Sequence, residues 1–159
     1  MSSFPNKMPE KFAAEILEAN EHASTTPYDD PLALGPFVAG TEGFRKFVTS
    51  GKTFKWVFTK RNGVQGEVTT LAVVGSQLKH SVAAGAIPVV TAGSGLFWAN
   101  GRIAKLNNDT GHYQTSVESL ELVRQAWMDT GLVDAVEFKE RIDYQAVLLG
   151  AGKKKKGWF

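Results

Sequence analysis

The stretch Phe54-Lys55-Trp56-Val57-Phe58-Thr59-Lys60-Arg61-Asn62-Gly63-Val64-Gln65-Gly66-Glu67-Val68-Thr69-Thr70-Leu71-Ala72-Val73-Val74 decides the fold. Phe54, Trp56 and Phe58 alternate with Lys55, Val57 and Thr59, so three large apolar side chains share one face of a strand. Asn62-Gly63 supplies a turn that tolerates positive φ, and residues 64–74 return as a second strand. Downstream, residues 78–82 and 88–91 read as two short strands. Residues 96–99, Asn100-Gly101 and residues 102–106 form the clearest hairpin of the chain. Leu96, Phe97 and Trp98 are expected in the core rather than as a platform for stacked bases. Every connection here is too short for a parallel crossover, so the pattern predicts an antiparallel meander.

Working outward, residues 9–22 predict a helix, with Pro9 in its first turn and Phe12, Ile16 and Leu17 as its apolar stripe. Residues 23–43 lose all period among Pro27, Pro31, Pro36, Gly35 and Gly40 and read as an irregular arm, tacked down by Phe37 and Val38. Thr115 and Glu118 fit a capping box for a second helix over 116–130, with Val117, Leu120, Val123 and Trp127 inward and Gly131 as its stop. Residues 136–142 return as a strand. The expectation is one α+β domain over 1–149, comprising helix and arm to residue 43, then sheet and second helix to residue 142. Its antiparallel sheet holds about five to seven strands, open or barrel-like, between an N-terminal and a C-terminal helix. Residues 150–159, with Lys153–Lys156, read as a basic tail.

At 159 residues, 43% apolar and 21% charged, the chain has an ordinary globular balance and no run that would cross a bilayer. The first residues lack the basic start and apolar core of a secretory signal. The absence of cysteine excludes disulfides, a thiol nucleophile and a thiolate zinc site. A cytoplasmic protein, or one delivered into a target cell without a signal peptide, is expected.

The net charge of +2 conceals a division. Residues 1–43 set two lysines against seven carboxylates, a net −5; residues 44–106 set nine Lys and Arg against Glu67, a net +8. Residues 107–152 return to −5. A basic middle between acidic ends suits RNA or another polyanion, or an acidic partner or immunity protein; equally, acidic helices neutralise a basic sheet within the fold.

Several machines are excluded by pattern. Ser50-Gly51-Lys52-Thr53 resembles the end of a phosphate-binding loop, but Lys46 stands where its first glycine belongs. Gly93-Ser94-Gly95 lacks the third glycine of a dinucleotide site. The three histidines lack metal-ligand spacing, so neither metal nor cofactor is expected.

Two clusters carry possible chemistry: Lys79-His80-Ser81 and Asn107-Asn108-Asp109-Thr110-Gly111-His112-Tyr113. A polar, glycine-bearing loop before a helix can present amides to an anion. Two histidines facing one phosphodiester divide the work, one removing the ribose 2′-proton and the other protonating the leaving oxygen. Lys79 and Arg102 would steady the charge on phosphorus. The competing reading makes His80 a core histidine bonded to a backbone carbonyl and the second cluster a turn.

The run Leu78-Lys79-His80-Ser81, Ala84-Gly85, Val89-Val90-Thr91-Ala92-Gly93, Asn100-Gly101-Arg102-Ile103, Leu106-Asn107-Asn108 and Gly111-His112-Tyr113 resembles a module found in two settings. These are the carboxy-terminal domains of bacterial polymorphic toxins and effectors, and the body of plant IQ-motif calmodulin-binding proteins. The resemblance covers about a third of the chain, residues 77–120. It departs at Thr110, where serine is usual, at Gln114 and Thr115, where arginine and proline are, and at Ser94, where many versions carry glutamate. It implies a toxin- or effector-like domain with His80, Ser81, His112 and Tyr113 at the shared positions. The leading expectation is a metal-independent ribonuclease: His80 and His112 as base and acid, Ser81 and Tyr113 orienting them, Lys79 and Arg102 on phosphate. A non-catalytic protein-binding or scaffold module is the main alternative. An ADP-ribosyl transferase holding NAD between His80 and Tyr113 is the weaker one, for want of a well-placed glutamate.

Overall fold

The computed structural model describes residues 3–25, 36–76, 78–85, 87–110 and 113–139. A 3-10 turn at Pro9–Lys11 leads into α1 (Phe12–Thr25). There follow β1 (Phe37–Val38), α2 (Glu42–Val48), β2 (Phe54–Gly63), β3 (Gly66–Gly75), α3 (His80–Ala84), β4 (Val89–Trp98), β5 (Ile103–Leu106), α4 (Glu121–Asp129, entered through a 3-10 turn at Glu118–Leu120) and β6 (Ala135–Phe138). The fold is α+β. The strands form one sheet in the order β1-β3-β2-β4-β5-β6, with β1 and β6 at opposite edges, so the sheet is open rather than a barrel.

Nor is it a simple meander. β2 is antiparallel to both β3 and β4, so β3 and β4 run the same way on either side of it, and their connection crosses the sheet carrying α3. β5 and β6 pair in parallel through a second crossover, which carries α4. Each connection therefore has the length that a parallel return requires.

β2 is buried on both sides. Phe54, Trp56 and Phe58 face one core with Leu71, Val73, Ala104 and Leu106, covered by Phe44, Phe47 and Val48 of α2 and by Val123 and Trp127 of α4. Trp127 stacks on Phe54 with centroids 5.5 Å apart. On the opposite face Val57, Ala72, Val89 and Ala92 form a smaller core with Ala84 of α3 and with Tyr113. The register shifts at Phe58/Thr59, where Thr59 pairs with Val89 but Phe58 with Thr91, leaving Val90 as a bulge residue. That extra residue lets Val89 serve the small core while Val90 serves the large one.

Several local expectations change. Residues 78–82 form no strand: α3 begins at His80 after an extended Lys79 and stops at Gly85, whose φ of 63° suits a left-handed cap. Five alternating residues carry too short a period to separate the two outcomes. Residues 88–91 and 96–99 belong to one strand, β4, because Gly93 and Gly95 sit where neighbours approach closely rather than where the chain turns. The first hairpin turns at Val64-Gln65, two residues beyond Asn62-Gly63, with Gly66 supplying the positive φ of 115°. Finally, residues 42–48 of the expected arm and sheet start are helical, capped by Thr41. Phe37 and Val38 pair with Val73 and Ala72, as their tacking role implied. Trp98 leaves the core: it is 45% exposed at the end of β4, with the Lys105 ammonium 4.2 Å from its ring centre. Residues 140–142 of the expected last strand and the 150–159 tail lie outside the described residues.

Candidate functional site

α3 lies on the small-core face over β2 and β3, which directs the His80 ring toward β4. His80 Nε2 sits 2.6 Å from the Gly93 carbonyl oxygen. A carbonyl only accepts, so Nε2 carries the proton in this contact. The ring is 4% exposed.

The Gly93 carbonyl is available because the chain closes on itself there. A Cβ on Gly93 would lie 1.6 Å from the Asn107 carbonyl oxygen, so only glycine lets the two backbones pass. Asn107 secures the crossing: its Oδ1 accepts from Ser94 N at 3.0 Å and from Asp109 N at 2.9 Å. Asn108 Nδ2 donates to the Thr115 carbonyl at 3.1 Å, and Thr115 Oγ1 donates to the Ala92 carbonyl at 3.2 Å. The asparagines thus pin the loop to β4. Thr115 is a strap rather than a helix cap; Ser116 Oγ takes that role by accepting from Ser119 N at 3.2 Å.

Beside His80, Ser81 is fully buried and its Oγ donates to Glu15 Oε1 of α1 at 2.6 Å. Tyr113 is also fully buried, and its hydroxyl has no hydrogen-bond partner among the described residues. Burial pushes its phenol pKa up, and the Glu15 carboxylate adds to the effect. Lys55 projects from β2 on the same face, cross-strand from Ser94 and Val74. Burial holds its ammonium pKa below the usual range and repulsion from Lys79 adds to this, while Asp109, Glu18 and Glu15 act the other way. Among the described residues, neither the Lys55 nor the Lys79 ammonium makes a hydrogen bond or ion pair.

The structure therefore brings together His80, Ser81, Tyr113 and Lys79, and adds two residues that sequence reasoning missed, Glu15 and Lys55. Glu15 is missed because a helical period only marks it as polar, and its partner lies 66 residues away in sequence. His112 lies outside the described residues, so its distance from His80 is not part of this geometry. Arg102 is elsewhere. It follows Trp98 in the β4–β5 turn, and the rise from Gly93 to Trp98 alone spans about 17 Å. Its guanidinium donates to the Leu132 and Gly131 carbonyls at 3.0 and 2.6 Å and stands 3.8 Å from Asp134. These contacts make it a brace between the α4 exit and β5, not a phosphate ligand beside His80.

The basic middle segment is likewise dispersed. Arg45 and Lys46 lie on α2, Lys60 pairs with Glu67 at 2.7 Å near the first hairpin, and Lys55 and Lys79 sit among Glu15, Glu18 and Asp109. Acidic α1 packs on α3, whose start carries Lys79. Among the described residues no group of three His, Asp or Glu side chains comes together to hold a metal, and no helix is long and apolar enough to cross a membrane. No model of a known protein family, no curated protein and no solved structure matches this chain.

Proposed function

We propose that the chain is an effector- or toxin-like domain that works as a binding module, engaging an anionic partner on the face where α1 and α3 meet beside residues 107–110. The observation that carries this reading is the buried His80 ring, whose Nε2–H is committed to the Gly93 carbonyl at 2.6 Å. A proton-transfer group must reach the proton it moves, within about 3 Å or through one water, and this ring is enclosed by the fold. His80 and Tyr113 are both buried, which also counts against an open NAD slot between them.

The metal-independent ribonuclease is the second reading, favoured by one observation. The Lys55 and Lys79 ammonium groups stand without partners, among the described residues, beside the loop that continues to His112.

The test is incubation of the purified chain with total RNA in EDTA, comparing wild type, His80→Ala and His112→Ala, each checked for folding. Binding predicts intact RNA in all three and a lowered melting temperature for His80→Ala. RNA loss by wild type that a folded His112→Ala variant no longer produces would reinstate the nuclease.

A further inference from the structure

The β2–β3 hairpin outruns the sheet that carries it. β4 accompanies β2 only as far as Thr59, and β1 accompanies β3 only along Val73 and Ala72, with one further bond from Ala39 N to the Leu71 carbonyl at 2.8 Å. At Gly40, with a φ of 93°, the chain turns away toward α2. Beyond these points the strands pair only with each other, through Lys60↔Thr69, Arg61↔Val68, Asn62↔Glu67 and Gly63↔Gly66, and residues 61–69 are all exposed. A two-stranded ribbon is marginally stable in water, so a third strand would stabilise it. The lane beside β3 is open to one. The Leu71 carbonyl points into that lane, and alternate residues of an antiparallel ladder turn their polar groups the same way, so Thr69 and Glu67 also aim N–H and C=O there. Among the described residues neither backbone meets a partner in the lane. Strand edges are ordinarily guarded by charge, proline or a bulge. Residues 66–70 contain no proline, their register with β2 is unbroken, and their one charge, Glu67, is neutralised by Lys60 at 2.7 Å. Val68, Thr69 and Thr70 are β-branched, and Val68 is 44% exposed.

We infer that the outer edge of β3 from Gly66 to Thr70 is a docking site for an extended, acidic peptide strand, added antiparallel in the lane that β1 enters and leaves. Donors and acceptors recurring every second residue match an extended backbone, so main-chain bonds to Glu67 and Thr69 supply affinity and the strand's side chains supply selectivity. The pleat sorts those side chains. On the Val68 face stands Arg61, directly across the hairpin, exposed and without an ion pair among the described residues, whereas Lys60 is paired with Glu67. A strand presenting apolar and carboxylate side chains toward the Val68 face therefore complements the site. A nucleic acid fits less well, because Lys60 and Arg61 against Glu67 make a weak field and a phosphate backbone has no alternating donors. No residue of this edge belongs to the face proposed above for the anionic partner.

The experiment titrates a capped peptide, Thr-Val-Thr-Glu-Thr-Val, into the full chain and follows it by fluorescence anisotropy and amide NMR. In this probe the valines and the glutamate share one face, and the threonine N–H groups meet the edge. Binding should protect the Glu67 and Thr69 amides from hydrogen exchange and leave those of Lys60 and Asn62, which point to the other side of the hairpin, unchanged. A peptide N-methylated at its threonines should bind at least about fivefold more weakly, having lost its main-chain donors. Lysine in place of the glutamate should weaken binding about twofold to fivefold, and Arg61→Gln should erase that difference. Thr69→Pro removes only an outward N–H, which a strand edge tolerates, so the folded variant should lose binding while Thr69→Val retains it. If Thr69→Pro does not fold, the exchange pattern of wild type decides. No binding at millimolar peptide overturns the inference, as does equal binding by the N-methylated peptide or protection that spares Glu67 and Thr69. Equal binding of the lysine peptide overturns the acidic preference. Dimerisation of the free chain that a folded Thr69→Pro variant abolishes overturns the peptide in favour of a second copy. RNA that shifts the Glu67 and Thr69 amides when the peptide does not overturns it in favour of a nucleic acid.

Discussion

Gly93 is the residue on which the small-core face turns, because the Asn107 backbone passes where its side chain would be. Gly93→Ala should therefore cost more than about 3 kcal/mol, beyond the ordinary range for a point substitution. Urea denaturation against a remote surface substitution checks it; a loss under about 1 kcal/mol would show that the crossing can relax. His80→Ala removes the side-chain donor from the same carbonyl and should cost about 1–3 kcal/mol, read as a drop of several degrees in melting temperature. Tyr113 makes the contrasting case. Its buried hydroxyl has no hydrogen-bond partner among the described residues, so Tyr113→Phe should be neutral or stabilising by up to about 1 kcal/mol at neutral pH. Its phenol is pushed up by burial and then by Glu15, so the folded protein keeps a proton that the unfolded chain releases above about pH 10. Stability linked to this group is complete below that pH and declines as pH rises through it. Wild type should thus lose more stability than Tyr113→Phe between about pH 8 and about pH 11. Equal losses would remove Tyr113 as the cause.

Among the elements, α2 and α3 are too short to hold themselves and depend on caps and packing. Thr41 serves α2 twice: its Oγ1 accepts from Phe44 N at 3.2 Å and donates to the Val38 carbonyl at 2.7 Å, tying the helix start to β1. Thr41→Ala should cost about 1 kcal/mol, and Thr41→Ser should restore it, as measured by thermal melting. The helix had a sequence signal in retrospect. Phe44, Phe47 and Val48 follow an i, i+3, i+4 spacing after a threonine, and all three are buried. Seven residues next to a proline-rich arm gave that spacing too little length to outweigh a loop. α4 was legible because its apolar stripe, Val117 to Trp127, persists over more than two turns, and α1 because Pro9 marks its start ahead of Phe12 and Ile16.

For the whole molecule, the placement of charge matters more than its total. Nine aligned cations on single-stranded RNA would give a log–log salt slope of about −6, whereas the observed scatter over α2, the hairpin ends and the face that carries α3 predicts a slope shallower than about −2. Filter binding of wild type to unstructured RNA across salt concentrations measures this. A slope near the larger value would mean that the described surface is rearranged on binding.

What the sequence determined by itself are the features set within a few residues of one another. Alternation in β2 and β3, the Asn100-Gly101 turn and the Leu120–Trp127 stripe are local patterns, and local patterns select local structure. Tertiary structure alone decided the open strand order, the helices on both faces, the scattering of the basic residues and the seating of Glu15 on Ser81. The site's membership followed the same division. His80, Ser81 and Tyr113 stand out along the chain, while Glu15 and Lys55 join them only because α1 and β2 meet α3 on one face. Contacts between residues tens of positions apart are chosen by which surfaces bury one another, and no local period encodes that choice.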